Sequence, residues 1–156
     1  MELQYKGIWL FGLSGSGKTF ASRSISYTID NSFIIDGDDV RELISFDLDY
    51  DLDSRLIQLK RIFGITKIAL KNNYFPIISS VYMSKELEIA LKNNNILTIK
   101  VLRDIKEARK GNRVYDNESN IVGVDIAYPH DLNSISIENC GGEEFCQSIQ
   151  EILYSS

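Results

Sequence analysis

The chain is short of cysteine and histidine, carries no excess of positive charge, and contains no long apolar run. Each lack removes a class of protein. Its two cysteines, Cys140 and Cys146, have five residues between them and lack metal-ligand spacing. Reduced structural thiols in a cytoplasmic protein are expected. The one histidine, His130, follows Tyr128-Pro129 in an expected loop, where a turn residue is the plainer reading than a catalytic base. With 17 Lys and Arg against 22 Asp and Glu, the net charge is −5, which argues against binding a nucleic-acid polymer. No apolar stretch approaches the ~20 residues of a bilayer span. The opening "MELQYKG" has no basic segment leading into an apolar one, so neither a membrane anchor nor a signal peptide is expected. No repeat, linker or low-complexity stretch interrupts the 156 residues. One domain, 1–156, is expected, and a domain of this size buries roughly 70% of its unfolded surface without disulfides.

What is there alternates. Apolar, β-branched runs at Gly7–Phe11, Phe33–Ile35, Phe75–Val81, Ile96–Leu102 and Ser134–Ile137 read as strands, several of them covered on both faces. Between them, helical patterns run over Lys18–Ile29, Asp39–Ser45, Ser54–Asn72, Ser84–Lys92, Ile105–Lys110 and Glu143–Tyr154. In the third, Leu56, Leu59, Ile62, Phe63 and Thr66 recur at three- and four-residue steps and share a face. The alternation predicts an α/β fold, a parallel five-stranded sheet with helices on both faces. In such a sheet ligands sit at the carboxyl ends of the strands.

The first strand runs into "GLSGSGKT". Gly12, Gly17, Lys18 and Thr19 match G-x-x-x-x-G-K-[ST], with a strand before and a helix after. Small residues at Gly12, Ser14, Gly15, Ser16 and Gly17 let the backbone curl and aim N–H groups at a polyphosphate. The following helix adds positive potential at its N-terminus. Lys18 is placed to reach the β- and γ-phosphates of ATP, and the Thr19 hydroxyl to bind Mg²⁺. Neither a D-x-x-G switch nor an N-K-x-D guanine reader is present, which favours phosphotransfer to a small substrate over a regulatory GTPase.

The second strand ends in "IIDGDDVREL". Asp36 and Asp38 would face the phosphate loop if the first two strands are neighbours. One carboxylate could hold Mg²⁺ through water while the other orients or deprotonates a hydroxyl. Arg41 could clamp an anionic part of the acceptor. Asp38 or Asp39 would also serve as a helix N-cap, a role compatible with catalysis.

At these residues the chain resembles the adenylylsulfate (APS) kinases. "YKGIWLFGLSGSGKT" and "IIDGDDVREL" are similar to that family's phosphate loop and D-G-D-N-V-R segment, and "DLDYDLDSRLIQLKRI" and "IVGVDIAYP" resemble later motifs in the same order. The resemblance covers about Tyr5 to Leu153 and is most specific in the first third. It implies a P-loop kinase sandwich in which the γ-phosphoryl of Mg-ATP moves to the ribose 3′-hydroxyl of a nucleotide with a substituted 5′-phosphate. It also implies a homodimer. Asp36 then becomes the base or metal-organising carboxylate. Asp38 and Arg41 contact the acceptor, and Arg55 binds its 5′ anionic group. Ile78 and Ser79 offer backbone to the substrate. Arg109 and Arg113 fall in the lid over ATP.

The departures from the family cluster on the acceptor side. Of two phenylalanines expected to sandwich adenine, the first is Tyr50 and the second falls at Ile121. Base–aromatic stacking is worth ~1–3 kcal/mol, enough for its loss to alter base preference. The family's Asn aligns with Gln58, and its Ser of S-P-Y-R with Tyr82. The basic lid shortens to the acidic "DNESN", through Asp116 and Glu118. These changes suit a smaller base and a less anionic 5′ end. They point to the capsule-associated APS-kinase-like proteins, which look like kinases of cytidine 5′-diphosphoramidate. An APS kinase making 3′-phosphoadenylylsulfate is the alternative, and a non-catalytic nucleotide-binding module a third. "DLDYDLD" places Asp47, Asp49, Asp51 and Asp53 at calcium-loop positions, but Leu52 and Gln58 stand where Gly and Glu are required, which argues against calcium.

Overall fold

The computed structural model describes residues 1–116 and 119–154. Its elements in chain order are β1 (Gly7–Phe11), α1 (Lys18–Ser26), β2 (Ser32–Asp36), α2 (Gly37–Leu43), α3 (Leu52–Lys71) and β3 (Phe75–Ser80), then α4 (Lys85–Asn93), β4 (Ile96–Leu102), α5 (Ile105–Arg109), a 3₁₀ turn (Arg113–Asp116), β5 (Ile135–Glu138) and α6 (Glu144–Leu153). The five strands form one parallel sheet in the order β2-β3-β1-β4-β5.

Alternation along the central strands divides the core in two. Ile8, Leu10, Ile77, Leu97 and Ile99 face α1 and α6, where Ala21, Ile25, Phe145 and Ile149 cover them. Trp9, Phe11, Ile78 and Ile96 face the other side, under Leu59, Ile62, Leu87 and Leu91 of α3 and α4. Strands buried on both faces lose the polar–apolar alternation of a half-exposed sheet. β1 and β3 are buried along their whole length. The expected face of α3 packs inward, with Leu59, Ile62 and Thr66 buried and Leu56 and Phe63 partly so.

Two expectations are corrected. β2 is an edge strand, and Phe33 and Ile34 are 47% and 38% exposed. Nor does β2 neighbour β1, because β3 lies between them. α2 also begins earlier than its apolar pattern predicts. Asp36, not Asp38 or Asp39, is its N-cap, and its carboxylate accepts a hydrogen bond from the Asp38 N–H. The cap falls there because Asp36 still has extended backbone as the last residue of β2.

Candidate active site

A cavity of about 770 Å³ opens at the carboxyl ends of β1, β2 and β3. Its walls include Ser14, Gly15, Gly17, Lys18 and Thr19 from the loop after β1, and Asp36, Asp38 and Arg41 from β2 and α2. Tyr50, Arg55, Gln58, Ser79 and Ile121 complete the set of expected residues that line it.

The loop after β1 is held open from several directions. Gly12 lies so close to Val101 that a Cβ would collide with its carbonyl oxygen. Gly17 has φ 101°, in the left-handed region, and a Cβ there would run into the Asn139 carboxamide. The Lys18 ammonium reaches back into the loop and donates to the carbonyl oxygens of Gly12 (2.8 Å) and Leu13 (2.9 Å). Burial lowers its pKa to about 8, against the opposing pull of Asp38 and Asp36. An incoming polyphosphate would supply the missing counter-charge.

Although β3 separates β1 from β2, Asp36 reaches the loop, because α1 leads Thr19 across the intervening strand. The Thr19 hydroxyl donates to one Asp36 oxygen at 3.0 Å. The other accepts from the Asp38 N–H at 2.9 Å. Asp36 thus ties the first turn of α1 to the start of α2. Two hard oxygen donors beside a phosphate loop fit Mg²⁺, which takes few protein ligands and completes its shell with water and phosphate. Among the described residues there is no group of three or more His, Cys, Asp or Glu able to hold a metal by itself. The Asp38 carboxylate takes no hydrogen bond among the described residues and opens to the cavity. Lost hydration raises its pKa, and the neighbouring Asp36 carboxylate adds to the shift.

Across the cavity stand two guanidinium groups. Arg41 donates to the carbonyl of Asp49 at 2.7 Å and lies 4.6 Å from the Tyr50 ring centroid. Arg55 donates to the carbonyls of Tyr50 (2.9 Å) and Asn120 (2.8 Å). Neither forms an ion pair with a carboxylate among the described residues. Burial lowers the pKa of Arg55, and Arg41 nearby lowers it further. Two adjacent cations whose hydrogen bonds, among the described residues, go to neutral carbonyls make a seat for an anion. Gln58, 6% exposed, donates to the Gly37 carbonyl between the two aspartates.

Other expected residues lie elsewhere. Ile78 is fully buried, paired with Trp9 on one side and Ile35 on the other. Its backbone belongs to the sheet and is not offered to a substrate. Gly12 and Ser16 shape the loop from behind the cavity wall, Ser16 being fully buried. Arg109 and Arg113 do not line the cavity. The Arg109 guanidinium lies 5.1 Å from the Tyr115 ring centroid, and Arg113 is exposed in the 3₁₀ turn. Of the "DNESN" segment, Asn117 and Glu118 lie outside the described residues, and Asp116 ends the 3₁₀ turn with its side chain exposed. Asp47, one of the calcium-loop positions, is paired with Arg61.

Tyr82, noted in the sequence as an acceptor-side departure from the family pattern, is a contributor, and several others went unnoticed. Tyr82 lines the cavity and stacks on Tyr128, centroids 6.0 Å apart and rings 8° from parallel. Burial drives the Tyr128 hydroxyl far above its ordinary pKa, and it donates to the Val81 carbonyl at 2.6 Å. Arg103, Tyr115 and Asn139 hydrogen-bond to the carbonyls of the phosphate loop, Tyr115 from the cavity wall. Nothing in the motif points to these three, since each comes from a different part of the chain.

A parallel five-stranded sheet, a phosphate loop after its first strand and a capping carboxylate after its second define a P-loop kinase fold. The family model described as adenylylsulphate kinase matches residues 4–128. The chain belongs to that family. It is 26% identical over 136 residues to the adenylyl-sulfate kinase of Buchnera aphidicola, covering 78% of this chain and 64% of that one. It is 24% identical over 161 residues to that of Gloeothece citriformis, covering 94% and 91%. With adenylyl-sulfate kinase 4 of Arabidopsis thaliana it shares 33% identity over 78 residues, 47% of this chain but 25% of that one. Among solved structures, the Mycobacterium tuberculosis APS kinase in complex with AMPPNP and APS superposes with a TM-score of 0.83 at 18% identity, covering 99% of this chain and 100% of that one. A gluconokinase from Sinorhizobium meliloti gives a TM-score of 0.61 at 13% identity, covering 96% and 91%. Among the described residues, no helix is long and apolar enough to cross a membrane.

Proposed function

We propose that the protein is a Mg-ATP-dependent kinase that phosphorylates the ribose 3′-hydroxyl of a nucleotide carrying a substituted 5′-phosphate. The observation that carries this reading is the pairing across one cavity of a phosphate loop with Asp36–Asp38, and of these with the Arg41–Arg55 cation pair. A donor polyphosphate, a reacting hydroxyl and a second anion each find matching chemistry.

The roles divide by geometry. The Thr19 hydroxyl and the Asp36 carboxylate, already hydrogen-bonded to each other, would hold Mg²⁺, which when bound would supply charge neutralisation at the donor phosphates. The open carboxylate of Asp38, of raised basicity and lining the cavity, supports the role of accepting the proton of the acceptor hydroxyl. The hydroxyl oxygen bonds to the γ-phosphorus as the bond from phosphorus to the β–γ bridging oxygen breaks. ADP leaves with those electrons, and the proton passes through Asp38 to water. Lys18, drawn out of its carbonyl contacts by the phosphates, balances charge on the transferring group. Arg41 and Arg55 hold the 5′ anion.

APS is the leading acceptor, because the family match and the named relatives favour it over the cytidine compound expected from the departures alone. Cytidine 5′-diphosphoramidate stays as a second reading for one reason. The cavity wall at 121 is a buried isoleucine, and the Tyr50 face is partly taken by Arg41, so the double aromatic sandwich for adenine is missing. Incubation with Mg-ATP and either APS, CDP or cytidine diphosphoramidate, followed by ³¹P NMR, tests both. A new phosphomonoester signal with one acceptor identifies it. Nucleotide binding without phosphoryl transfer to any acceptor would instead support a non-catalytic module.

A further inference from the structure

The phosphate loop is braced by side chains from three later parts of the chain, one of which, Tyr115, also lines the cavity. Three consecutive carbonyl oxygens, those of Ser14, Gly15 and Ser16, each accept a hydrogen bond from a different side chain. The Tyr115 hydroxyl donates to Ser14 at 2.8 Å, the Arg103 guanidinium to Gly15 at 2.9 Å, and the Asn139 carboxamide to Ser16 at 2.7 Å. These donors come from the turn after α5, the connection after β4 and the connection after β5. The Asn139 amide is itself oriented, because its oxygen accepts from the Gly141 N–H at 2.9 Å. The nitrogen must therefore face Ser16. Asn112, beside Tyr115, adds a bond to the Ser14 hydroxyl at 2.8 Å.

The peptide unit is planar and trans, so a carbonyl and the N–H that follows it point in opposite directions. Turning the Ser14 carbonyl outward turns the Gly15 N–H inward, and turning the Ser16 carbonyl outward does the same for Gly17. The N–H between them, that of Ser16, closes the loop by donating to Leu13 at 3.0 Å. The Gly15 and Gly17 N–H groups take no acceptor among the described residues. Both glycines lie in the left-handed region, φ 83° and 101°, where flipped alternatives are cheap without an external hold.

We infer that Tyr115, Arg103 and Asn139 are positioning residues of the donor site, which fix the Ser14–Gly17 peptides so that the Gly15 and Gly17 N–H groups face the phosphates of the donor. The inference rests on the proposed donor role of this loop.

The test uses the full chain and two uncharged substitutions, so that the field at the site is unchanged. Asn139→Ala removes the grip on Ser16, and Tyr115→Phe removes only a hydroxyl from the grip on Ser14. Binding of inorganic tripolyphosphate with Mg²⁺ is measured by calorimetry, with amide proton shifts of Gly15 and Gly17 followed by NMR. Each variant is expected to weaken binding on the order of 3- to 10-fold, the range of one hydrogen bond. Asn139→Ala should shrink the ligand-induced shift of Gly17, and Tyr115→Phe that of Gly15. A purely structural role would not sort the two glycines in this way. If Asn139→Ala does not fold, Tyr115→Phe still carries the test. Tripolyphosphate binding equal to wild type in the folded variants would overturn the brace and leave the donor role standing. Failure of the wild type itself to bind tripolyphosphate would overturn both.

Discussion

Lys18 and Asp38 have pKa shifts that pull against folding, as the proposed roles toward a bound ligand would require. For Lys18 the folded pKa lies at about 8, below the ordinary lysine value of 10.5. Between those values the unfolded chain binds more protons than the folded one, so the ligand-free protein should gain stability as pH rises from about 8 to about 10.5. Polyphosphate restores the charge, so ATP binding near pH 9 should take up a proton. Calorimetry in buffers of different ionisation enthalpy reads that uptake, which Lys18→Ala should abolish together with turnover. Asp38 shifts the other way. Its raised folded pKa makes the folded state hold the proton more tightly, so stability falls as pH rises above the ordinary carboxylate range. Asp38→Asn should therefore raise the melting temperature at neutral pH while lowering kcat about 10²–10⁴-fold, the usual worth of a general base. Asp36→Asn should also cut kcat sharply and raise the Mg²⁺ concentration needed. Wild-type kcat in either variant would remove that aspartate from the mechanism. At this scale the donor residues were legible, because Gly12 to Thr19 are contiguous and their spacing is itself the chemistry. Ile78 was misread because a resemblance carries no information on which backbone groups a sheet has already consumed.

Elements were legible where periodicity is strong and misjudged where a single polar residue decides the boundary. Asp36 starts α2 because a strand end supplies its extended backbone, which no apolar count reveals. The contacts that lock β5 in place escaped the sequence reading entirely. Glu88 of α4, 7% exposed, accepts from Lys85 at 2.9 Å, from the N–H groups of Asn133 and Ser134, and from the Ser134 hydroxyl. Burial pushes its pKa up, but those hydrogen bonds outweigh it and the net shift is downward. The contribution is thus present above the unfolded pKa and lost as pH falls through the folded value. Glu88→Ala should cost about 2–3 kcal/mol at neutral pH, the scale of bonds to a charged group. The penalty should shrink in acid, as denaturant melts at several pH values would record. In the middle of the sheet, between β1 and β3, the buried Trp9 indole donates to the Ser80 hydroxyl at 2.8 Å. Ser80→Ala leaves that N–H unpaired and should cost about 1–3 kcal/mol by the same measurement.

For the whole molecule, strand order is what converts scattered motifs into one site. With β3 between β1 and β2, the phosphate loop and Asp36 stand apart in the sheet and meet only through α1, while α3 brings Arg55 and Gln58 over the gap. The sequence announced a parallel sheet but not its order, since order depends on which crossovers pack together. The acceptor side was correspondingly the least legible part, because its residues come from α2, α3, β3 and the segment at 119–122 and touch only after folding. The homodimer implied by the family resemblance is a separate expectation, which sedimentation velocity tests directly.

The central claim is that phosphoryl transfer ends on a 3′-hydroxyl opposite Asp38. It is tested most directly by following Mg-ATP and APS with the protein by ³¹P NMR, alongside the 3′-deoxy form of the same acceptor. The account predicts ADP and a new 3′-phosphomonoester in equal amounts from APS, and neither above background from the 3′-deoxy compound. Phosphorylation of the 3′-deoxy acceptor at the wild-type rate would contradict it.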